Sequence, residues 1–106
     1  MNIAVTATGG SIEAKMDERF GRCKYFVVVD SETMKFHAFM NPNTDVLGGA
    51  GPAAAAKIAE IGAEVLITGH VGVNAQQALD AAGIRVVTQN ADTVREAVEA
   101  YLKMKN

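Results

Sequence analysis

The sequence has very little cysteine, no long apolar run and no dominant charge. Its one cysteine, Cys23, cannot form an internal disulfide, so a reducing compartment suits the chain. The formal net charge of −2 gives no general attraction to nucleic acid or to an anionic membrane. No apolar run approaches the roughly 20 residues that a membrane-spanning helix needs, and no N-terminal segment has the pattern of a signal peptide. We therefore expect a cytoplasmic protein that binds neither nucleic acid nor membrane.

The rest of the composition is that of an ordinary globular domain. Apolar residues make up 49% and charged residues 21% of the 106 residues. A chain of this length buries roughly 60% of its unfolded surface or somewhat more, which is enough for one core. No repeat, linker or low-complexity tract divides it. We predict a single domain over residues 1–106.

Apolar patterning predicts five strands and three helices. Apolar, β-branched and aromatic runs indicate strands at 2–7, 24–30, 35–41, 64–68 and 84–88. Helical spacing and capping residues indicate one helix from Pro52 to Gly62, one over 73–82 that ends at Gly83, and one from Asp92 with a Thr93–Glu96 capping box. The segments 11–23 and 42–52 are predicted to be long loops.

The order of these elements predicts how the sheet is built. The two strands within 24–41 form an antiparallel hairpin, because only a short turn joins them. The strand–helix–strand unit from 64 to 88 predicts a right-handed parallel crossover. We therefore predict an α/β fold with a mixed five-stranded sheet covered by three helices. His37 lies on the more polar face of the hairpin and is predicted to be a solvated surface residue.

Three stretches carry residue types that suit ligand binding. GGAGP at 48–52 and TGHVGVN at 68–74 are rich in glycine and lead into helices, and MDERFGRCKYF at 16–26 is rich in basic side chains. A helix N-terminus exposes unpaired N–H groups and a partial positive charge, which attract anions. Glycines let a ligand approach the backbone. Open α/β sheets bind ligands beyond the carboxyl ends of their strands, where 68–74 falls.

The glycine-rich stretches also have a structural explanation. Glycines at strand–helix junctions often serve only to make the turn, and this alternative stays open for 48–52. Neither stretch ends in the GK[ST] of ATPase phosphate loops, and neither has the full GxGxxG spacing of dinucleotide binders. They are therefore candidates for a general anion site and not for a nucleotide-binding motif.

Cys23 and His70 are the candidate metal ligands. His70 lies between two glycines, where little side-chain bulk surrounds it, although a turn or capping role explains it as well. Cys23 lies between Arg22 and Lys24, whose charges favour the metal-binding thiolate, although a lone cysteine is more often a small buried hydrophobe. One cysteine and two histidines cannot complete a four-ligand zinc site without carboxylates. A metal would be held by few protein ligands, which suits transient binding.

No catalytic constellation is visible in the sequence. The carboxylates of Asp17, Glu18 and Asp30 have no convincing partners and are predicted to lie on solvated faces. No serine occupies a nucleophile elbow, and no set of cysteines could hold a cluster by itself. We therefore predict a binding protein and not an enzyme.

Two long segments resemble one family closely. MDERFGRCKYFVVVD at 16–30 and GGAGPAAAAKIAEIGAEVLITGHVGVNAQQALDAAGIRVV at 48–87 are similar to the dinitrogenase iron–molybdenum cofactor biosynthesis family. The recognisable parts are RFG at 19–21, GGAG at 48–51 and TGxVGxNA at 68–75. The resemblance extends from Ile3 to the final helix.

This resemblance implies a ribonuclease-H-like topology without nuclease activity. It implies a carrier that binds an iron–sulfur cluster or the iron–molybdenum cofactor and passes it between donor and recipient metalloproteins. Cys23 and His70 would bind metal, and the anionic cluster would be held by a set of basic, glycine and amide residues: Arg19, Gly21, Arg22, Gly49, Gly51, Gly69, Gly72 and Asn74. The alternative is a small-molecule or nucleotide-binding regulatory module that uses the two glycine-rich helix N-termini. Monomer and homodimer are both open.

Overall fold

The computed structural model describes residues 1–41 and 50–105. In these ranges the strands are β1 (Asn2–Ala7), β2 (Tyr25–Asp30), β3 (Phe36–Met40), β4 (Val65–Thr68) and β5 (Arg85–Thr88). The helices are α1 (Ala50–Ile61), α2 (Val73–Ala81) and α3 (Val94–Lys105). All of the predicted elements are present, with ends that lie within about two residues of the predicted ones. No helix in the described part of the chain is long and apolar enough to cross a membrane.

The strands form one mixed sheet in the order β3-β2-β1-β4-β5. β1 is the central strand, and it pairs antiparallel with β2 and parallel with β4. β2 and β3 form the predicted antiparallel hairpin, and β4 and β5 form the predicted parallel pair. β2 is therefore antiparallel to the other four strands, which is the ribonuclease-H-like arrangement that the resemblance implies. The predicted fold class is confirmed.

Both faces of the sheet are covered, because successive side chains along a strand point to opposite faces. On one face, Ile3, Val5 and Ile67 pack with the buried stripe of α3. That stripe is the one the helical spacing predicts: Val94, Ala97, Val98 and Tyr101, with Leu102 partly buried beside them. On the other face the sheet packs against buried side chains of α1 and α2, namely Ala54, Ala55, Ile58, Ala75 and Leu79. The chain is thus layered as helix, sheet and helices.

Glycine and threonine caps set the ends of the helices. Gly62 and Gly83 follow α1 and α2 with φ angles of +86° and +76°, a left-handed conformation that favours glycine. At the start of α3, the N–H of Glu96 donates to the hydroxyl oxygen of Thr93 (3.2 Å). These are the predicted caps, and they determine where the neighbouring strands and loops begin.

The edge strand β3 is the least buried strand of the hairpin. Phe39 packs against the core on the α1–α2 side, whereas its face-mate His37 is exposed, as predicted. On the other face Phe36 is 38% exposed and Met40 is 71% exposed. The alternation of 35–41 therefore indicates the strand correctly, but it does not indicate which apolar side chains reach the core.

Candidate functional site

The carboxyl ends of β1, β4 and β5 meet at one edge of the sheet, because these three strands are parallel. The chain leaves β4 through residues 69–72 and enters α2 at this edge. α1 begins beside it, since a Cβ added to Gly51 would lie 2.9 Å from the Cβ of Ala75. Two helix N-termini therefore lie together at the edge where open α/β sheets bind ligands.

The loop at 16–22 lies over this edge and is fastened to β1. The N–H of Asp17 donates to the carbonyl of Thr6 (2.8 Å), and the hydroxyl of Thr6 donates back to the carbonyl of Asp17. A hydrogen bond of 2.9 Å joins the hydroxyls of Thr6 and Thr68. Both threonines are fully buried, so their hydroxyls need these partners. The ends of β1 and β4 and the loop are thereby held as one unit.

The same loop crosses the turn between β4 and α2 in very close contact. The N–H of Phe20 donates to the carbonyl of His70 (3.3 Å), within an isolated bridge between Arg19 and His70. A Cβ added to Gly69 would lie 2.5 Å from the Cβ of Glu18 and 2.8 Å from its Cα. The bare Cα of Gly69 therefore lets the loop approach the turn.

A cavity of about 510 Å³ lies between this loop and the two helix N-termini. This volume is in the range of roughly 300–1,000 Å³ that is typical of small-ligand sites. Its lining residues come from all three stretches that the sequence singles out: Arg19, Phe20, Gly21, Arg22, Gly51, Pro52, His70, Gly72, Val73, Asn74 and Ala75. None of these described lining residues carries a carboxylate, so the cavity favours an anionic ligand over a cationic one.

The cavity brings together most of the predicted site residues. Seven of the ten predicted site residues line it: Arg19, Gly21, Arg22, Gly51, His70, Gly72 and Asn74. Gly69 lies against Glu18 and outside the lining. Gly49 lies outside the described residues.

Cys23 lies in the core and not in the cavity. It is fully buried and packs in the cluster on the α1–α2 face of the sheet. Burial raises the pKa of its thiol to about 12, and the negative charge of Asp17 adds to this effect. The flanking basic residues Arg22 and Lys24 therefore do not produce a thiolate. This environment favours the structural alternative for Cys23.

Asp17 and Arg19 form an ion pair at the cavity wall. The carboxylate of Asp17 accepts hydrogen bonds from the backbone N–H of Arg19 (2.9 Å), from its Nε (3.2 Å) and from its Nη2 (3.2 Å). Desolvation raises the pKa of Asp17, but the hydrogen bonds and the charge of Arg19 together hold this pKa below its usual value. Asp17 is only 7% exposed, so the prediction of a solvated face for this residue is wrong. Asp17 has its partner two residues away, and its burial comes from the contact with β1.

The start of α2 presents free backbone donors to the cavity. Gly72 is the N-cap residue, and no side chain caps the helix there. The first N–H groups of a helix have no acceptor within the helix, so those at 73–75 are open to a ligand. A Cβ added to Gly72 would meet no atom within 4 Å. This arrangement suits an anion at the helix N-terminus.

The apolar part of the cavity wall lies outside the site residues that the sequence predicts. Phe20, Pro52, Val73 and Ala75 contribute this surface. The ring of Phe20 also contacts that of Phe26, with 6.1 Å between ring centroids, which anchors the loop on the core. A large aromatic residue among the polar residues of a loop is the signal that indicates such an anchor.

Fold and site together define a class of small α/β domains with a ribonuclease-H-like sheet and an arginine-lined cavity at its carboxyl edge. The sequence matches the dinitrogenase iron-molybdenum cofactor family over residues 1–104. The chain therefore belongs to this family, as its resemblance predicts.

Similar proteins include two solved structures and one further sequence. The apo form of the orange protein from Desulfovibrio gigas is 46% identical, with a TM-score of 0.92, covering 98% of this chain and 88% of that one. A NifB-like protein from Thermotoga is 31% identical, with a TM-score of 0.83, covering 96% and 87% of the two chains. An uncharacterized protein of Methanocaldococcus jannaschii is 26% identical over 94 residues, which is 86% of this chain and 80% of that protein.

Proposed function

We propose that the cavity binds an anionic iron–sulfur cluster or the iron–molybdenum cofactor, and that the protein carries this cargo transiently between metalloproteins. The observation that carries the proposal is the composition of one cavity wall: two arginines, one histidine and an uncapped helix N-terminus, without a carboxylate among the described lining residues. Membership of the dinitrogenase iron-molybdenum cofactor family supports the class of cargo.

The electrostatics of the cavity suit a negatively charged inorganic cage. Arg19 and Arg22 supply positive charge and several N–H donors. The backbone N–H groups at 73–75 supply further donors with no side chain in competition. Hydrogen bonds from such groups to a charged partner are worth about 1.5–3 kcal/mol each. Several of them together give useful affinity without a covalent bond to metal.

The supply of metal donors suits reversible holding. Among the described residues, no three His, Cys, Asp or Glu side chains come together as a metal site. His70 is the one imidazole in the lining, and the thiol of Cys23 is buried elsewhere. The cargo must therefore bring its own bridging ligands, with at most one protein donor from the described lining. Permanent cluster sites use four cysteines, so this site favours transfer.

We also propose that the protein is not an enzyme. The described lining offers no thiol or carboxylate for nucleophilic or acid–base chemistry. The carboxylate of Asp17, which lies outside the lining, is engaged by Arg19. The described part of the site is thus equipped to hold an anion, and its lining residues offer no nucleophile–base or acid–base carboxylate pair to transform one.

Anaerobic titration with the isolated iron–molybdenum cofactor and with a synthetic iron–sulfur cluster tests the function. We expect a saturable visible absorption band at one cluster per chain. His70→Ala and Arg22→Ala should each weaken binding by about 10-fold or more. Two variants serve as matched controls outside the cavity, His37→Ala and Arg85→Ala, and these should bind like the wild type.

Two results would count against the proposal. One is the absence of saturable binding of either cluster by a folded, anaerobically purified protein. The other is a saturable thermal shift with nucleotides or phosphorylated metabolites and none with clusters, which would favour the regulatory-module alternative. Binding that Cys23→Ala abolishes, with the fold intact, would move the site away from the cavity.

A further inference from the structure

We infer that Asp17 is a positioning residue, which holds the guanidinium of Arg19 at the cavity wall ready for an anionic ligand. This inference rests on the proposed function. Asp17 does not line the cavity, whereas Arg19 does. Asp17 therefore acts on a ligand through Arg19 and not by touching it.

The contact between the two residues restrains Arg19 strongly. The carboxylate of Asp17 accepts from the backbone N–H of Arg19 at 2.9 Å and from both Nε and Nη2 at 3.2 Å. The Arg19 side chain is otherwise 66% exposed. An exposed arginine with no such partner samples many rotamers and loses that freedom when it binds a ligand. The fork-shaped pair removes much of this loss before the ligand arrives.

Asp17 can fix Arg19 because Asp17 is itself fixed to the sheet. Its N–H donates to the carbonyl of Thr6, and its carbonyl accepts from the hydroxyl of Thr6. Thr6 is fully buried and hydrogen-bonded to Thr68 at the end of β4. A chain of hydrogen bonds thus runs from the central strands to the guanidinium.

The pair leaves part of Arg19 available to a ligand. A guanidinium has five N–H donors in a rigid fork. The carboxylate of Asp17 contacts Nε and Nη2, so the donors on Nη1 are not used by this pair. Lysine cannot reproduce this geometry, because its ammonium group is a compact point charge without a rigid fork of donors. It cannot contact both carboxylate oxygens of Asp17 and also present donors to a ligand in a fixed direction.

A double-mutant cycle on the full-length protein tests the inference. The isolated iron–molybdenum cofactor is titrated anaerobically into the wild type, Asp17→Asn, Arg19→Ala and the double variant. We expect Asp17→Asn and Arg19→Ala each to weaken binding by about 10-fold. The double variant should bind no more weakly than Arg19→Ala alone, because Asp17 acts through Arg19. A matched control is Glu13→Gln, which removes the exposed Glu13–Arg95 ion pair (3.0 Å) three residues before the loop at 16–22 and should leave binding unchanged.

Two further measurements extend the test, and the first of them does not require Asp17→Asn to fold. Arg19→Lys keeps the charge at an exposed position and should bind almost as weakly as Arg19→Ala. The NMR signal of the Arg19 Nε–H should be sharp in the wild type and lost or broadened by exchange in Asp17→Asn. These readouts report the position of the side chain and not the stability of the fold.

The outcomes separate this inference from the proposed function. If the wild type does not bind the cofactor, the function fails and the inference fails with it. If the wild type binds and Arg19→Ala weakens binding, but Asp17→Asn binds like the wild type, the inference alone is overturned. It is also overturned if Asp17→Asn weakens binding equally with Arg19 absent, or if Arg19→Lys binds like the wild type.

Discussion

At the scale of single residues, Gly72 differs from the other glycines of the site. Gly51 and Gly69 each lie against a neighbouring chain segment, and Gly21 has a positive φ of 77°. Gly72 has an ordinary extended conformation, with φ −72° and ψ 166°, and open space where a Cβ would be. Neither sterics nor torsion requires a glycine there. The absence of a side chain is best explained by access to the N–H groups of α2.

The first prediction concerns a capping residue at this position. Gly72→Asp should stabilise α2 by about 0.5 kcal/mol, through the cap and the helix dipole, and raise the melting temperature by about 2–4 °C. The same carboxylate would occupy the free N–H groups and repel an anion, so cluster binding should fall by about 10-fold or more. Thermal unfolding and anaerobic titration measure the two effects. Unchanged or tighter binding would contradict the assigned role of the α2 N-terminus.

The second prediction concerns the buried thiol. Because the folded-state pKa of Cys23 is raised to about 12 from its ordinary value of 9.0, the neutral thiol stabilises the fold fully below pH 9. This stabilisation should be lost as the pH rises from about 9 towards 12, since the unfolded chain ionises first. The free energy of unfolding, measured with urea from pH 7 to 10.5, should fall more in the wild type than in Cys23→Ala. If the free energy of unfolding falls equally with pH in the wild type and in Cys23→Ala, the thiol is accessible to solvent or already ionised in the folded protein.

At the scale of elements, local sequence patterns predict the strands and helices, but they do not predict features that depend on contacts between distant residues. The strands, helices and caps follow from spacing within a few residues, as in the α3 stripe and its Thr93 cap. The burial of Asp17 depends on Thr6, which is 11 residues away and on another element. The place of Cys23 in the core likewise depends on how the loop at 16–22 packs. No local pattern carries such information, which is why the prediction from sequence is wrong for Asp17 and leaves two roles open for Cys23.

The crossing of the 16–22 loop over the β4–α2 turn gives the third prediction. In Gly69→Ala, the new Cβ would lie 2.5 Å from the Cβ of Glu18 and 2.8–2.9 Å from its Cα and carbonyl oxygen. Backbone must move, so we expect a loss of about 1–3 kcal/mol in the free energy of unfolding by urea denaturation.

Two companion variants make the result specific to the crossing. Gly72→Ala adds a Cβ that meets nothing within 4 Å, and it should cost only a few tenths of a kcal/mol. Glu18→Ala should not rescue Gly69→Ala, because the contacts to the Glu18 Cβ, Cα and carbonyl oxygen all remain. A full rescue would mean that the side-chain atoms of Glu18 beyond Cβ limit the approach.

At the scale of the whole molecule, the candidate site opposes the overall charge. The formal net charge of the chain is −2, which repels an anionic cargo at long range. The arginines and helix N-termini collected at the carboxyl edge of the sheet reverse this locally. The sheet topology makes this possible, because it places the loop at 16–22 and the starts of α1 and α2 at one end. Three stretches that are far apart in sequence thereby contribute to one cavity. The family resemblance implies that these stretches form one site, whereas composition alone does not indicate it.

The fourth prediction separates local electrostatic binding from metal coordination. Exposed charges are screened over about 10 Å at 0.1 M ionic strength and over about 3 Å at 1 M. If the arginines and N–H groups dominate, raising potassium chloride from 0.05 M to 0.5 M should weaken cluster binding by roughly 10-fold, and Arg22→Ala should reduce this salt dependence. His70→Ala should bind more weakly but keep the wild-type salt dependence, because it removes a candidate metal donor and leaves both arginines in place. Anaerobic titration at four salt concentrations measures how affinity depends on salt in the wild type, in Arg22→Ala and in His70→Ala. If binding does not depend on the salt concentration and His70→Ala abolishes it, then coordination by the imidazole holds the cargo, and the charge of the cavity wall does not.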